Sequence, residues 1–218
     1  MTQVLDGETL GLIWAGEITQ WNDSRIQDLN GPAPLPNSTI LLGYNENNRL
    51  SSAQVFKEAL SRFSPTFREA LAAANGSFAG LPPALAGNAF EVGEEAYQRL
   101  NWLQNTPNTM TFVSQAEADG YGQRYFYMIN KAGNLVQPGV DTVKAAISSF
   151  ASNISAGQLS IDISDAPDAN AWPRAYLNYI AFNRSTTDLD CSTVQELLRF
   201  IAWTLVNEEY VVSFLSLC

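Results

Sequence analysis

Short strand-like runs alternate with amphipathic helical segments along most of this chain. The run Thr39–Tyr44 is apolar and suits a buried strand, and after a polar loop the apolar side chains of Ser52–Phe63 share one helical face. Two further runs rich in β-branched and aromatic residues, Thr109–Val113 and Arg124–Ile129, also predict strands. This order of strand, loop and helix is typical of an α/β fold.

Capping residues and helix breakers place the remaining elements. Asp6 can cap a helix over Gly7–Trp14, and Ser114 can cap a short helix over Gln115–Asp119. The other predicted elements are helices over Ser24–Leu29, Pro65–Ala74, Ala89–Leu103, Val140–Phe150 and Ser192–Glu208, and strands over Leu159–Ile163 and Tyr176–Phe182. Secondary structure is therefore expected to continue nearly to the carboxyl end.

The charge of the chain excludes some classes of partner. Its formal net charge is -10 and it has only 12 basic residues among 218. Nucleic acids and anionic membrane surfaces attract clusters of Lys and Arg, so neither is an expected partner. No apolar stretch approaches the roughly 18 to 20 residues of a membrane helix, and direct membrane insertion is not expected.

The chain contains no histidine. This removes Ser-His-Asp and Cys-His nucleophile systems and histidine-based zinc sites. Carboxylates could still act as acid and base, and the candidates are Glu46, Glu94, Glu95, Glu117, Asp165 and Asp168. Their spacing does not place two of them around one scissile bond. We therefore expect that the protein is not an enzyme.

A cluster of three loop carboxylates, Asp162, Asp165 and Asp168, could be considered for calcium. The loop lacks the alternating ligand spacing and the terminal Glu of a recognised calcium loop. We expect a solvated loop and no metal site.

Two features bear on the compartment. Five Asn-x-Ser/Thr sequons are possible N-glycosylation sites, at Asn22, Asn37, Asn75, Asn153 and Asn183. The two cysteines, Cys191 and Cys218, either form a disulfide that ties down the carboxyl end or are unrelated thiols. If the source is a eukaryote, sequons and a disulfide together indicate a secreted or cell-surface protein.

The segment Leu5–Asp23 resembles the part of bacterial phosphate-binding proteins where the chain enters its second lobe. Other segments resemble the family in the same order, namely Thr106–Val113, Asn134–Pro138 and Ala171–Pro173. The resemblance implies a type II periplasmic-binding-protein fold, a three-layer α/β sandwich lobe with no bound cofactor. It also implies an incomplete first lobe, because the family carries a first-lobe segment before the Leu5 motif.

The same resemblance divides the chain into two regions. Residues 1–172 would form the second-lobe α/β domain, and residues 173–218 a strand and helix returning toward the first lobe. In the family this last helix packs on that lobe. Its apolar side chains here indicate a protein partner or self-association, unless the helix folds back onto the second lobe.

The family grips phosphate with a loop between a strand and a helix. The corresponding interval in this chain supplies seven candidate ligand-binding residues: Tyr44, Asn45, Asn47, Asn48, Arg49, Ser51 and Ser52. Free N–H groups at a helix start and a nearby arginine would attract an anion. An ordinary polar turn capped by Ser51 is the alternative, since the family's arginine and Ser-Gly-Thr sequence are replaced here.

These observations favour a non-catalytic binding module, extracellular or periplasmic, which acts as a ligand sensor or as a structural domain. Its ligand would be a small anion such as phosphate. The alternative is a working phosphate-binding subunit of an ABC transporter. The aromatic residues Trp14, Trp21, Trp102 and those within Tyr121–Tyr127 could line a pocket, but their spacing favours the core.

Overall fold

The computed structural model describes residues 3–46, 51–82, 85–158, 160–179 and 190–206. Strands and helices alternate through these ranges, which gives a mixed α/β fold as the sequence predicts. In chain order the elements are β1 (Val4–Asp6), α1 (Gly7–Trp14), α2 (Ser24–Asn30), β2 (Leu41–Tyr44), α3 (Ser51–Phe63), α4 (Pro65–Ala73), β3 (Ala89–Glu91), α5 (Ala96–Asn105), β4 (Thr109–Thr111), α6 (Gln115–Gly120), β5 (Tyr127–Ile129), β6 (Leu135–Val136), α7 (Val140–Ser148), α8 (Ala151–Ser155) and α9 (Cys191–Val206).

The described strands form two sheets of three strands each. The first has the order β1-β5-β6, with Leu5 of β1 opposite Met128 of a parallel β5 and with β6 antiparallel to β5. The second has the order β3-β2-β4 and is parallel throughout, with Leu42 of β2 opposite Ala89 on one side and Met110 on the other. Parallel neighbours need a crossover, and helices supply it.

Local hydrogen bonds start the helices where the sequence predicts. The Asp6 carboxylate accepts a hydrogen bond from Thr9 N at 2.7 Å and caps α1. Ser114 and Glu117 form a reciprocal capping box at α6. Each cap satisfies backbone N–H groups that the first helical turn leaves unpaired.

One large core joins the two sheets. Its centre is an aromatic cluster in which Trp14 lies 5.0 Å from Phe56, and Phe56 stacks on Phe112 at 4.5 Å between ring centroids. A second, smaller core is built from Ala146, Ile163, Ala166, Ala171 and Ala175. Trp172 packs against both cores. The prediction that the aromatic residues belong to the core is confirmed for Trp14 and Trp21, which are buried, and is wrong for Tyr121, which is 42% exposed, while Trp102 is half-buried.

Three predicted elements differ in the structure. The helix predicted over Ala89–Leu103 is instead strand β3 followed by helix α5. Gly93 adopts a φ of +93° between them, and β3 pairs with β2 through hydrogen bonds such as Val92 N to Tyr44 O at 2.9 Å. A left-handed residue breaks a helix, and pairing with β2 favours the extended form.

The other two differences are the strands predicted over Leu159–Ile163 and Tyr176–Phe182. Residues 160–163 and 176–179 form no strand, and Leu159 and residues 180–182 lie outside the described residues. Near the first segment the backbone bonds locally, since the Asp162 carboxylate accepts from Ser164 N at 2.8 Å. Such a side-chain turn competes with strand pairing. The division of the chain at residue 172 stays a prediction.

Candidate functional site

The carboxyl ends of three parallel strands lie at one edge of the second sheet. Helices α3, α5 and α6 follow strands β2, β3 and β4, so their amino ends point toward the same edge. In open α/β sheets, ligands bind outside the carboxyl ends of the strands, where helix amino ends converge. This edge is therefore the place to examine for a binding site.

Side chains of the protein already satisfy two of these helix starts. At α6, Glu117 Oε2 accepts from Ser114 N at 2.9 Å and from Ser114 Oγ at 2.7 Å. At α5, the Gln98 side chain accepts from Glu95 N at 3.0 Å. Donors that are engaged in this way are not available to a ligand.

A buried arginine braces the same edge. Arg99 on α5 is 3% exposed and donates to three carbonyl oxygens, Phe112 O at 3.2 Å, Gly93 O at 3.3 Å and Glu94 O at 2.7 Å. Burial lowers the pKa of Arg99, and the negative charges of Glu117 and Glu95 act in the opposite direction. Because its donors are engaged by the backbone, Arg99 ties α5 to the strand ends.

A cavity of about 530 Å³ lies beside this edge and is bordered by residues of both sheets. Its described charged lining residues are two arginines, Arg124 and Arg174, and no carboxylate is among them. Much of the remaining lining is apolar and includes Leu5, Leu10, Phe56, Met110, Phe112 and Met128. In a chain with 22 acidic and 12 basic residues, this lining favours a negatively charged guest.

Arg174 is the most unusual residue of the cavity. Its Nε atom is buried without a hydrogen-bond partner, and no carboxylate in the described part of the chain forms an ion pair with it. Its guanidinium carbon lies 4.5 Å from the ring centroid of Phe56. Burial lowers the pKa of Arg174 to about 10, so the group keeps its charge at neutral pH.

The backbone around Arg174 is fixed on both sides. Trp172 N donates to Thr142 O at 2.9 Å, and Pro173 O accepts from Asp165 N at 2.8 Å. The next residue, Ala175, is buried in the smaller core. These contacts hold the arginine at the cavity, and a charged group that is buried and held without a partner indicates a binding function.

A smaller cavity of about 220 Å³ adjoins the larger one. The two share a wall formed by residues 112–114 and 174–176. Ser52, at the start of α3, lines the smaller cavity together with the acidic residues Glu94, Glu95 and Glu117. These carboxylates make the smaller cavity less suitable for an anion than the larger one.

The structure describes four of the seven residues predicted for the anion loop, one of them in backbone only. Tyr44 is buried against Phe78, with ring centroids 5.7 Å apart, and burial raises its pKa, as do the charges of Glu91 and Glu46. Asn45 is fully buried, and neither polar atom of its side chain has a hydrogen-bond partner among the described residues.

The other loop positions are only partly described. Ser51 begins α3, but its side chain is outside the described residues, and so are Asn47, Asn48 and Arg49. Of the loop residues whose side chains the structure describes, Ser52 lines the smaller cavity, and Tyr44 and Asn45 line neither cavity. The neighbouring Glu46 accepts from Ala79 N at 2.9 Å and pairs with the buried Lys57 at 3.5 Å. The anion loop stays a prediction.

The predicted modification and metal residues are dispersed. Asn22, Asn37 and Asn75 are exposed, Asn153 is partly buried, and Asn183 lies outside the described residues. Cys191 is an exposed free thiol and Cys218 is not described, so the structure gives the disulfide no support.

The three loop carboxylates considered for calcium have separate partners. Asp162 pairs with Arg62 at 2.7 Å, Asp165 pairs with Lys131 at 3.2 Å, and Asp168 accepts from Asn170 N at 2.8 Å. In the described ranges, no three Asp, Glu or Cys side chains are grouped as metal ligands would be.

Sequence reasoning did not single out Arg174. A signal was present, because Arg174 is the lone charged residue in the stretch from Ala169 to Asn183. A single charge in a largely apolar run lies either at the surface or at a site where its burial needs a compensating partner, and in the structure Arg174 is half-buried with its Nε atom shielded from solvent.

Comparison with known proteins gives two kinds of relative. No protein-family model matches the chain. Two proteins of Acanthamoeba polyphaga mimivirus, each named "Putative serine/threonine-protein kinase/receptor", are similar over 94% of the chain: R826 is 40% identical and R818 is 37% identical. Phosphate-binding protein PstS of Xylella fastidiosa (strain 9a5c) is 26% identical over 93% of the chain.

The chain spans only part of these relatives. It covers 13% of the length of each kinase/receptor and 52% of the phosphate-binding protein. The distant similarity to phosphate-binding proteins, 24–26% among those compared, supports the relationship that the Leu5–Asp23 motif indicates. The chain is therefore similar to one segment of the kinase/receptor proteins and to about half of a phosphate-binding protein.

The expectation that the protein is not an enzyme is wrong in the light of the kinase/receptor relatives. It rested on the absence of histidine. Phosphoryl transfer relies on metal-bound carboxylates, a lysine and a catalytic aspartate, so a histidine-free sequence does not exclude it. In the described residues, no helix combines the length and the apolar character that crossing a membrane requires.

Proposed function

We propose that this chain is the anion-sensing region of a receptor with serine/threonine kinase activity. Two resemblances support the proposal: the chain is similar to mimivirus proteins named kinase/receptor and, more distantly, to phosphate-binding proteins. In such a receptor, binding of the ligand shifts the binding region toward its ligand-bound conformation, and this shift changes the kinase activity.

One observation carries the binding part of the proposal. The 530 Å³ cavity has Arg124 and Arg174 as its described charged lining residues; the Nε atom of Arg174 is buried without a hydrogen-bond partner, and no carboxylate among the described residues forms an ion pair with this arginine. An unpaired buried charge is costly, and an anionic ligand would offset that cost by pairing with it.

The binding part is tested by thermal unfolding of the 218-residue chain at constant ionic strength with a panel of anions. The panel contains inorganic phosphate, sulfate, phenyl phosphate and 3-phenylpropionate. At least one anion should raise Tm through binding to the folded state, and the shift should disappear in Arg174→Gln. If no anion raises Tm, the proposal is wrong.

The kinase part belongs to the whole polypeptide that contains this chain. Incubation with labelled ATP and phosphoamino-acid analysis should give phosphoserine or phosphothreonine, at a rate that changes when the binding anion is added. If the phosphorylation rate is the same with and without that anion, this chain does not regulate the kinase through anion binding.

A working phosphate-binding subunit of an ABC transporter is the second candidate. The observation in its favour is the 26% identity to a phosphate-binding protein over 93% of the chain. This function requires inorganic phosphate to bind far more tightly than any other anion of the panel. Equal or weaker binding of inorganic phosphate would exclude the transporter function.

An extracellular or periplasmic location is part of the same proposal, since a receptor meets its ligand outside the cell. The exposed sequons at Asn22, Asn37 and Asn75 provide the test. Expression through the secretory route of a eukaryotic cell should give a product whose mass falls on treatment with an N-glycanase. A product of unchanged mass would remove this support.

Helix α9 is proposed to contact another protein surface. It exposes several large apolar side chains, with Leu198 and Phe200 each 49% exposed. Sedimentation velocity should show concentration-dependent association that Leu198→Glu abolishes if the partner is a second copy. A monomer at all concentrations would assign the helix to contacts with a different protein.

A further inference from the structure

The hydrogen-bonding capacity of the larger cavity is limited. Near Arg174, the Ser114 hydroxyl bonds to Glu117 at 2.7 Å, and the Gln115 amide donates to Pro138 O at 3.3 Å and lies 3.5 Å from the Tyr125 hydroxyl. These polar side chains are engaged within the protein. Beside them, the Nε atom of Arg174 is buried without a hydrogen-bond partner among the described residues.

Inorganic phosphate is poorly matched to such a cavity. A bare oxyanion presents polar oxygens in every direction, and tight binding requires several converging donors. The Arg174 guanidinium pairs with one face of the anion, and much of the surrounding lining is apolar and offers no donor to the other oxygens. Polar groups that are buried without partners weaken binding.

The apolar surface of the cavity suits a different guest. Leu10, Phe56, Met110 and Phe112 border the space, and Trp21 and Phe126 stack at 6.0 Å on its far side. The volume of about 530 Å³ falls within the roughly 300–1,000 Å³ that sites for organic ligands occupy. Apolar surface of a ligand gains free energy by leaving water for such walls.

We propose that this cavity binds an organic anion, with its carboxylate or phosphate head on Arg174 and its apolar body between the two sheets. The inference rests on the proposed function and narrows it to one class of ligand. The exposed Arg124 lies where the same cavity meets solvent and attracts the anion to it. The guanidinium carbon lies 4.5 Å from the centroid of the Phe56 ring, which helps to hold the arginine in place through a cation–π contact.

Isothermal titration calorimetry tests the proposal with matched probes. The anionic probes are 3-phenylpropionate and phenyl phosphate, and the comparison probes are inorganic phosphate and the neutral 3-phenylpropan-1-ol. Both organic anions should bind at least about tenfold more tightly than inorganic phosphate and than the neutral alcohol, since only they use both the charge and the apolar walls. This comparison needs no variant.

Variants then locate the site. Arg174→Gln should weaken the binding of 3-phenylpropionate at least about tenfold and leave the binding of the alcohol unchanged, since only the anion loses a pairing charge. The affinity of Arg174→Lys for 3-phenylpropionate should lie between those of the wild-type protein and Arg174→Gln, because lysine keeps the positive charge but lacks the planar guanidinium. Arg25→Gln is the control, because Arg25 is exposed and pairs with Asp23 at 2.8 Å away from the cavity.

The outcomes separate this inference from the proposed function. Inorganic phosphate that binds as tightly as the organic anions would overturn the inference and leave the anion sensor standing. Organic anions whose affinity is unchanged in Arg174→Gln would overturn the inference as well. Absence of binding by every anion would overturn both.

Discussion

At the scale of single residues, the charges of two arginines, the buried Arg99 and the half-buried Arg174, are accommodated in opposite ways. Arg99 directs its N–H groups to three backbone carbonyl oxygens, whereas Arg174 lies against the Phe56 ring and forms no ion pair with a carboxylate among the described residues. A buried charge that is fully hydrogen-bonded stabilises its surroundings, and one that is unpaired destabilises them. The two residues should therefore respond to substitution with opposite signs.

Arg174→Met should stabilise the protein without ligand. Burial lowers the pKa of Arg174 from its ordinary value to about 10, which corresponds to a cost of about 3 kcal/mol in folding with the charge. Loss of the contact with Phe56 returns about 1 kcal/mol of this. The free energy of unfolding in urea should therefore rise by about 1–3 kcal/mol at pH 7.

The stability difference between the wild-type protein and Arg174→Met should depend on pH. Above about pH 10, and up to the ordinary pKa of an arginine, the unfolded chain binds more protons at this residue than the folded protein, so the stability of the wild-type protein increases with pH relative to Arg174→Met. The advantage of the variant should thus shrink above pH 10. A constant difference from pH 7 to 11.5 would contradict the assigned cause.

Arg99→Met should have the opposite effect. The substitution leaves Phe112 O, Gly93 O and Glu94 O without their donors beside a buried side chain. With about 1 kcal/mol or more for each unsatisfied carbonyl, the free energy of unfolding should fall by about 3 kcal/mol. Arg25→Met, which removes an exposed ion pair, should cost less than about 1 kcal/mol in the same urea titration.

Part of the candidate binding site can be predicted from the sequence, and part cannot. The loop after β2 could be selected because it follows a strand and precedes a helix. Arg174 could not, since its role depends on Thr142 and Asp165, which hold its backbone from 9 to 32 residues away in sequence. Sequence shows the lone charge, but only the fold shows that it is buried and unpaired.

At the scale of elements, helices α1 and α4 approach each other through a glycine. A Cβ atom at Gly11 would lie 2.3 Å from Ser64 Cβ, and Ser64 is fully buried at the start of α4. Its hydroxyl accepts from Phe67 N at 3.4 Å and donates to the Glu8 carboxylate at 3.1 Å. The two helices therefore cannot move apart to accommodate a side chain at Gly11 without disturbing the Ser64 cap.

Gly11→Ala should therefore destabilise the protein by about 2 kcal/mol, the cost of overpacking a close helix contact. Far-UV circular dichroism during thermal unfolding provides the measurement. Gly120→Ala is the matched control, since no atom lies within 4 Å of a Cβ atom built there and alanine favours the helix that it ends. If both variants unfold at the wild-type temperature, the close packing is not a constraint.

Helices of this protein could be predicted more accurately than its strands, for a physical reason. The helix starts at Gly7, Pro65 and Gln115 follow capping side chains that act within three residues, so the local sequence contains the signal. Strand β3 has only three residues, and its conformation depends on pairing with β2 more than 40 residues earlier. The sequence from Ala89 onward therefore predicts a single helix, which is correct for the amphipathic part at α5 and wrong for β3.

At the scale of the whole molecule, the two sheets share one hydrophobic core. Leu5 and Met128 of the first sheet and Leu42 and Met110 of the second all belong to the main cluster. Residues of both sheets also border the cavity with Arg174. A core shared in this way couples the stabilities of the sheets, and with them the shape of the cavity.

Met128→Ala should show this coupling. Met128 is 3% exposed on β5, and its truncation should cost about 2–5 kcal/mol. Because the core is common, amide hydrogen exchange should accelerate at Leu41 and Leu42 in the second sheet as well as at Tyr127 in the first, measured site by site by NMR. Leu135→Ala on β6 is the control, since Leu135 is 56% exposed and its truncation should leave both sheets unchanged. Faster exchange confined to the first sheet would mean that the sheets open independently, and a ligand between them would then stabilise each sheet separately instead of the molecule as one unit.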